Sequence, residues 1–183
     1  MKDYKTCSFF GHRKIEISQQ LRQKLKNIIE DLIVNYNVLT FLFGSRSEFN
    51  DLCHLVVTEL KEKYPNIKRI AYTTRSETCT LESEREKLED TYSRVFNREI
   101  HLLGVEEEFE HKTKYLSGRA SYVERNQSMI DASDYCIFYF DENYNPPMRK
   151  HSKRSISYYQ PKSGTALAFS YAKQKKKILI NVI

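Results

Sequence analysis

No apolar run in this 183-residue sequence approaches the length of a membrane span, and Met1-Lys2-Asp3-Tyr4-Lys5 opens without the long apolar region of a secretion signal. A cytoplasmic protein with no membrane partner is expected. Glycine and proline are scarce, at 5 and 4 residues, while apolar residues make up 40%, the balance of a globular protein with a full core. The four cysteines, Cys7, Cys53, Cys79 and Cys136, are widely spaced and form no Cys-x-x-Cys pair, which argues for buried reduced thiols over disulfides or a zinc site. His12, His54, His101, His111 and His151 lack ligand spacing such as His-Glu-x-x-His, so no structural metal is expected, and no motif calls for another cofactor. No internal repeat or long linker divides the chain, and a single domain over 1–183 follows.

Acidic residues are missing from one part of the chain. All 24 lie at or before Glu142, whereas residues 143–183 hold Arg149, Lys150, Lys153, Arg154, Lys162 and the Lys173 to Lys177 cluster without one acid. With a net charge of +6 so distributed, the C-terminal part is suited to an anionic partner. The lysines from Lys173 to Lys177 have a simpler reading, as cations favoured by the dipole at a helix end.

What is present is an alternation of strands and helices. Thr6 to Phe10 reads as a strand stopping at Gly11-His12-Arg13, and Ile17, Leu21, Leu25, Ile28, Ile29 and Leu32 then recur at helical spacing, with Ser18 as the N-cap. Thr40 to Phe43 is a second strand, stopping at Gly44-Ser45-Arg46-Ser47. Phe49 to Lys63 is an amphipathic helix ending before Pro65, and Lys68 to Thr73 is a third strand. Residues 74–98 are crowded with charge and read as a solvated surface helix, Ile100 to Leu103 as a short strand, and Glu106 to Glu110 as a polar connection. Tyr115 to Met129 is helical. Tyr135 to Phe140 is an apolar run too short for a typical helix and suited to a strand covered on both faces. A basic loop from Tyr144 to Lys162 leads to a helix lined by Leu167, Ala168, Tyr171 and Ala172, and Ile178 to Ile183 is the last strand. The pattern predicts an α/β fold: a doubly wound, mainly parallel Rossmann-like sheet with helices on both faces.

The functional signal lies at the carboxyl ends of these strands, where open α/β sheets place their ligand crevices. Gly11, His12, Arg13, Gly44, Ser45, Arg46, Asp141, Ser163, Gly164 and Thr165 all fall at strand ends or helix starts on that edge. Glycines admit a phosphate close to the backbone, helix N-termini supply N–H donors, and Arg13, Arg46 or Arg125 can pair with phosphate oxygens bidentately. Neither Gly-x-Gly-x-x-Gly nor Gly-Lys-[Ser/Thr] occurs, so the dinucleotide fingerprint and the P-loop are both excluded. His12, beside the glycine turn, is read as a hydrogen-bonded turn residue or as an acid or base.

Gly11-His12-Arg13, the segment Arg125-Asn126-x-x-Met129-Ile130-Asp131-x-Ser133-Asp134 and Ser163-Gly164-Thr165 followed by Tyr171-Ala172-x-x-x-Lys176 carry a family resemblance. Together they resemble the SLOG superfamily, the Rossmann-like group that includes the LOG "lysine decarboxylase-like" proteins and the DNA-processing protein DprA, and within it the YpsA-like branch of unknown function. The resemblance covers nearly the whole chain. It implies binding of a nucleotide or a nucleotide-derived, ADP-ribose-like sugar phosphate, by a ligand sensor or by a hydrolase of the nucleotide or its N-glycosidic bond, with Arg125 as candidate catalytic residue and Asn126 and Met129 beside it at the ligand. It also implies a homodimer, which could bury some of the 13 tyrosines and 10 phenylalanines. LOG-type enzymes hydrolyse an N-glycosidic bond with an Arg matching Arg125 and a Glu whose position is Ala168 here, so that residue pair is incomplete. Where YpsA-like relatives often have Gly-Gly-x-Gly-x-Phe-Asp, this chain has Asn50 in place of the Asp, with Asp51 one position on.

The basic loop separates two classes of function. As a lid, Arg149, Lys150, Lys153 and Arg154 would meet the phosphates of one small ligand, with Tyr158 or Tyr159 over its base. As a strap, the same residues would track single-stranded nucleic acid in the manner of DprA. The lid is preferred, because the loop joins Asp141 to Ser163 and both ends belong to the crevice edge.

Overall fold

The computed structural model describes residues 4–44, 47–74, 105–111, 114, 119–151 and 154–183. Its first strand, β1 (Lys5–Gly11), sends alternate side chains to opposite faces: Cys7 and Phe9 enter one core cluster and Phe10 the other. Helix α1 (Gln19–Tyr36) starts at Ser18, whose hydroxyl accepts from the Leu21 N–H at 3.1 Å, and ends at Asn37 in the left-handed conformation, φ 57°. Its buried stripe is Leu21, Leu25, Ile29, Leu32 and Ile33. Ile17, expected on that stripe, precedes the cap and is exposed. There follow β2 (Val38–Phe43), α2 (Glu48–Lys63), β3 (Lys68–Thr74), β4 (Glu107–His111), α3 (Arg119–Asp131), β5 (Tyr135–Tyr139), the short strands β6 (Arg149–Lys150) and β7 (Tyr158–Tyr159), α4 (Gly164–Gln174) and β8 (Ile178–Asn181).

Among the described residues, six strands form one parallel sheet in the order β4-β3-β2-β1-β5-β8. The chain travels one way across the sheet from β1 to β4, then returns to the far side of β1 with β5. With right-handed crossovers, that reversal moves the helices to the opposite face. Phe9, Phe41, Phe43 and Ile137 accordingly pack with α1 and α2, while Phe10, Leu42, Cys136 and Phe138 pack with Met129 and Ile130 of α3 and Ala168 and Ala172 of α4. Ring stacking ties neighbouring strands, with Phe9 5.1 Å from Phe43 and Phe10 5.2 Å from Phe138. This is the doubly wound, Rossmann-like α/β architecture expected from the sequence.

Residues 107–111 correct one expectation, for they are a strand and not a polar connection. The register from Ile70↔Glu107 to Thr74↔His111 pairs them with β3, and Phe109 rests on Tyr72 at 4.8 Å. Pairing to a formed neighbour overrides the low strand propensity of glutamate. The expected charged helix beyond Thr74 and the strand at 100–103 lie outside the described residues, as do 115–118 at the expected start of α3. Cys7, Cys53 and Cys136 are buried free thiols, while Cys79 is not among the described residues. No helix among the described residues is long and apolar enough to cross a membrane.

Glu106 fastens the β4 edge. Its carboxylate accepts from the Arg69 backbone N–H at 2.6 Å and from Arg69 Nη2 at 2.8 Å, with Lys61 Nζ 3.3 Å away. Partial burial opposes the charge, but the Arg69 contacts prevail and hold the carboxyl down to about 2. Because the folded value lies below the unfolded one, the stabilisation is present above the ordinary 4.5 and is lost as pH falls towards about 2. We expect Glu106→Gln to cost roughly 1 kcal/mol at neutral pH after solvent screening. Denaturant unfolding of both proteins across that pH range should show the gap closing; a gap that stays constant down to the acid end would remove the ion pair from the account.

Candidate functional site

Two glycines set how closely the helices approach the strand ends. An alanine Cβ at Gly11 would stand 2.5 Å from Phe49 Cβ, so the missing side chain lets the first turn of α2 close over β1. At Gly44 a Cβ would come within 2.6 Å of Met129 Sδ and 3.1 Å of Arg125 Nε, so this glycine lets α3 bring Arg125 against the end of β2. Asn50, buried in α2, donates from Nδ2 to the Phe9 carbonyl at 3.0 Å and pins the same corner. The loop after β1 is then held from two sides: the Glu48 N–H donates to the Arg13 carbonyl at 3.0 Å, and the Ile15 N–H donates to the Glu48 carboxylate at 2.9 Å.

Between these corners, where the strand order reverses from β1 to β5, lies a crevice of about 610 Å³. Arg13, Lys14, Arg119, Arg125, Arg149 and Lys162 line it, and no acidic residue is among its described lining. Ser47, the N-cap of α2, and Ser163, Gly164 and Thr165, the cap and first turn of α4, bring two helix N-termini to the same space. Ser163 Oγ accepts from the Ala166 N–H at 2.9 Å. A Cβ on Gly164 would meet nothing within 4 Å, so the α4 turn is open to the crevice. Phe10, Tyr122, Tyr144, Pro146, Pro147 and Pro161 supply apolar wall.

Arg125 is only 2% exposed, although it carries a full charge. Its guanidinium lies 5.2 Å from the centre of the Tyr122 ring, and Nη2 donates to Asn126 Oδ1 at 3.2 Å. A charge so shielded from water is weakly screened and acts strongly on an anion beside it. Arg119, a turn and a half earlier, donates to the Lys162 carbonyl and ties α3 to the segment entering α4.

His12, 4% exposed, is fixed from the β5 side. The Asp141 N–H donates to His12 Nε2 at 3.1 Å, and Asp141 Oδ1 accepts from the Asn143 N–H at 2.8 Å to form the turn that carries Tyr144. The Tyr144 ring then lies 4.1 Å from the imidazole, centre to centre. Asn181 of β8 secures the segment by accepting from the Phe140 N–H at 3.1 Å and donating to its carbonyl at 2.9 Å.

No family model matches this chain. It is similar to the uncharacterised SPbeta prophage-derived protein YoqJ of Bacillus subtilis (strain 168), with 28% identity over 162 residues that cover 85% of this chain and 81% of that protein. The likeness extends over both halves of the sheet and carries no activity with it.

Of the residues expected at a site, Gly11, His12, Arg13, Arg125, Asn126, Ser163, Gly164, Thr165 and Arg149 line the crevice. Met129 does not: it is fully buried among Phe10, Leu42 and Phe138. Gly44 acts through packing, and Asp141 orients His12 and turns the chain without lining the space. Among the lid residues, Lys150, Arg154 and Tyr158 are exposed and Tyr159 half-buried, on a hairpin of β6 and β7 where Lys150 lies over Tyr158 and His151 against Tyr159. Ser45, Arg46 and Lys153 are outside the described residues. Sequence reasoning missed Lys14, Arg119, Tyr122, Tyr144, Lys162 and the prolines. A signal for two of them existed, since Arg119, Tyr122 and Arg125 recur every third residue and share one helix face.

The two roles of glycine are separable. Gly11→Ala should destabilise the fold by about 2 kcal/mol, because the added carbon overpacks against Phe49. Gly164→Ala should leave stability unchanged or raise it by up to roughly 1 kcal/mol. Denaturation midpoints check both, and equal losses would mean that Gly164 also serves packing.

Proposed function

We propose that this crevice binds a nucleotide or nucleotide-derived sugar phosphate of the ADP-ribose type, and that the chain works in the cytoplasm as a sensor of that ligand. The observation that carries the reading is the charge balance. Six cationic side chains and two helix N-termini converge on one space whose described lining has no carboxylate. A single phosphate can meet only part of this positive potential at one time. A ligand with two linked phosphates answers it better. Arg125 and the open turn at Gly164 and Thr165 would hold phosphate oxygens, and Tyr144 with Pro146 and Pro147 offers a flat wall for a base.

Binding is favoured over hydrolysis of the LOG kind. Ala168, at the position of the LOG glutamate, packs in the core beside Phe138, and no described carboxylate lines the crevice to replace it. Homodimer formation belongs to the same proposal, with Val34 and Tyr36 of α1 exposed for a second copy to cover. Light scattering at micromolar concentration checks it, and a monomeric mass would remove it. A second reading, a strap for single-stranded nucleic acid, is favoured by Lys150, Arg154 and Tyr158, which are exposed outside the crevice lining.

Calorimetric titration with ADP-ribose, ADP and AMP tests the first reading. The two diphosphates should bind more tightly than AMP, and Arg125→Ala should weaken them tenfold or more, the loss of a charge-assisted hydrogen bond of about 1.5–3 kcal/mol. Arg125→Lys keeps the charge without the planar fork and should fall between. Failure of all three nucleotides, together with steeply salt-dependent binding of an oligonucleotide, would replace the lid by the strap.

A further inference from the structure

His12 differs from every other group lining the crevice, because its two ring nitrogens have unequal surroundings that together dictate its protonation. Nε2 accepts the Asp141 N–H at 3.1 Å, so its lone pair is committed. A neutral imidazole carries one proton, which must then sit on Nδ1. A charged ring would set an Nε2–H against the Asp141 N–H and break that bond. Burial also lowers the pKa of His12 from its ordinary value, against the charge and backbone contact of Asp141. Nδ1 itself is shielded and meets no acceptor among the described residues.

The cover over this donor is local. Tyr144 packs 4.1 Å from the imidazole, yet is itself 40% exposed and sits on a turn held by Asp141. From Tyr144 to Met148 the chain has no regular structure, so the ring can shift without disturbing the sheet. Tyr139 and Phe140 flank the imidazole at 6.3 and 6.2 Å and hold its plane.

We propose that His12 is the directional recognition group of the crevice: a neutral imidazole, fixed as the Nδ1–H tautomer, that donates to an acceptor oxygen of the ligand when Tyr144 swings aside. This rests on the phosphorylated-ligand reading above and adds to it a source of selectivity. The surrounding cations attract any anion from many angles, whereas one N–H at a fixed position rewards only a ligand that brings an oxygen to that position. A ligand that shuts the crevice without supplying the oxygen leaves the donor buried and unpaired. Asp141 is the positioning residue, acting through its backbone.

Nitrogen-15 spectra of the full chain labelled at histidine, with ADP-ribose and pyrophosphate as probes, test the proposal. In the free protein at neutral pH, Nδ1 should carry the proton and Nε2 should not. On adding ADP-ribose, the Nδ1–H resonance should shift and exchange more slowly with solvent, and Tyr144→Ala should speed that exchange in the free protein. Two variants separate the nitrogens. His12→Asn puts an amide N–H near the place of Nδ1 and should keep ADP-ribose affinity within about threefold, whereas His12→Gln reaches only the place of Nε2 and should lose tenfold or more. An Nε2–H tautomer, a charged ring, or equal affinity of wild type and His12→Gln would overturn the role of His12 while ligand binding stands. Absence of binding of both probes to the wild type would overturn the crevice reading itself, and the recognition role with it.

Discussion

β1 pairs with β2 on one side and with β5 on the other, and the rest of the molecule depends on that double pairing. A strand in that position is buried on both faces, so both sets of its alternating side chains must be apolar or satisfied. Phe9 and Phe10, both buried, meet that demand towards opposite helix layers. Burying a side chain of this size contributes about 1.5–3 kcal/mol, and the stacked contacts of Phe9 with Phe43 and Phe10 with Phe138 add to it while fixing which neighbours lie beside β1.

The same pairing creates the crevice. Because the chain leaves β1 in one direction and returns on its other side, the connections after β1 and β5 diverge and leave a gap between them. Gly11 and Gly44 narrow that gap by letting α2 and α3 close in, and helix starts at Ser47 and Ser163 face it. Six cations gathered there repel one another, and such crowding is tolerable only where packing elsewhere is strong. The two core clusters supply that packing.

Much of the fold was legible in the sequence because its elements obey local rules. Ser18 and Ser163 announce helix starts by hydrogen-bonding their own first turns, and the apolar runs at β1, β2 and β5 are short and densely non-polar, as central strands must be. Residues 107–111 failed that test because an edge strand is made by its neighbour. Glutamates there gain backbone bonds from β3 that no local pattern encodes. Ile17 failed for a smaller reason, since it matches the helical spacing but lies before the cap that starts the helix.

For the site, sequence alone determined which segments end at the crevice edge, since a strand followed by a glycine or serine turn and a helix has one polarity in a parallel sheet. It also determined the excess of positive charge. Which side chains share the space was decided only by tertiary structure. Met129 and Arg125 are one helical turn apart, yet one is swallowed by the core and the other lines the crevice, because Gly44 admits both at different depths. Lys14, Tyr144 and Lys162 lie far apart in the chain and converge because β1, β5 and α4 meet where the strand order reverses. The state of His12 is the clearest case: its proton is assigned by a backbone N–H 129 positions away, a contact that exists only once β1 and β5 are paired.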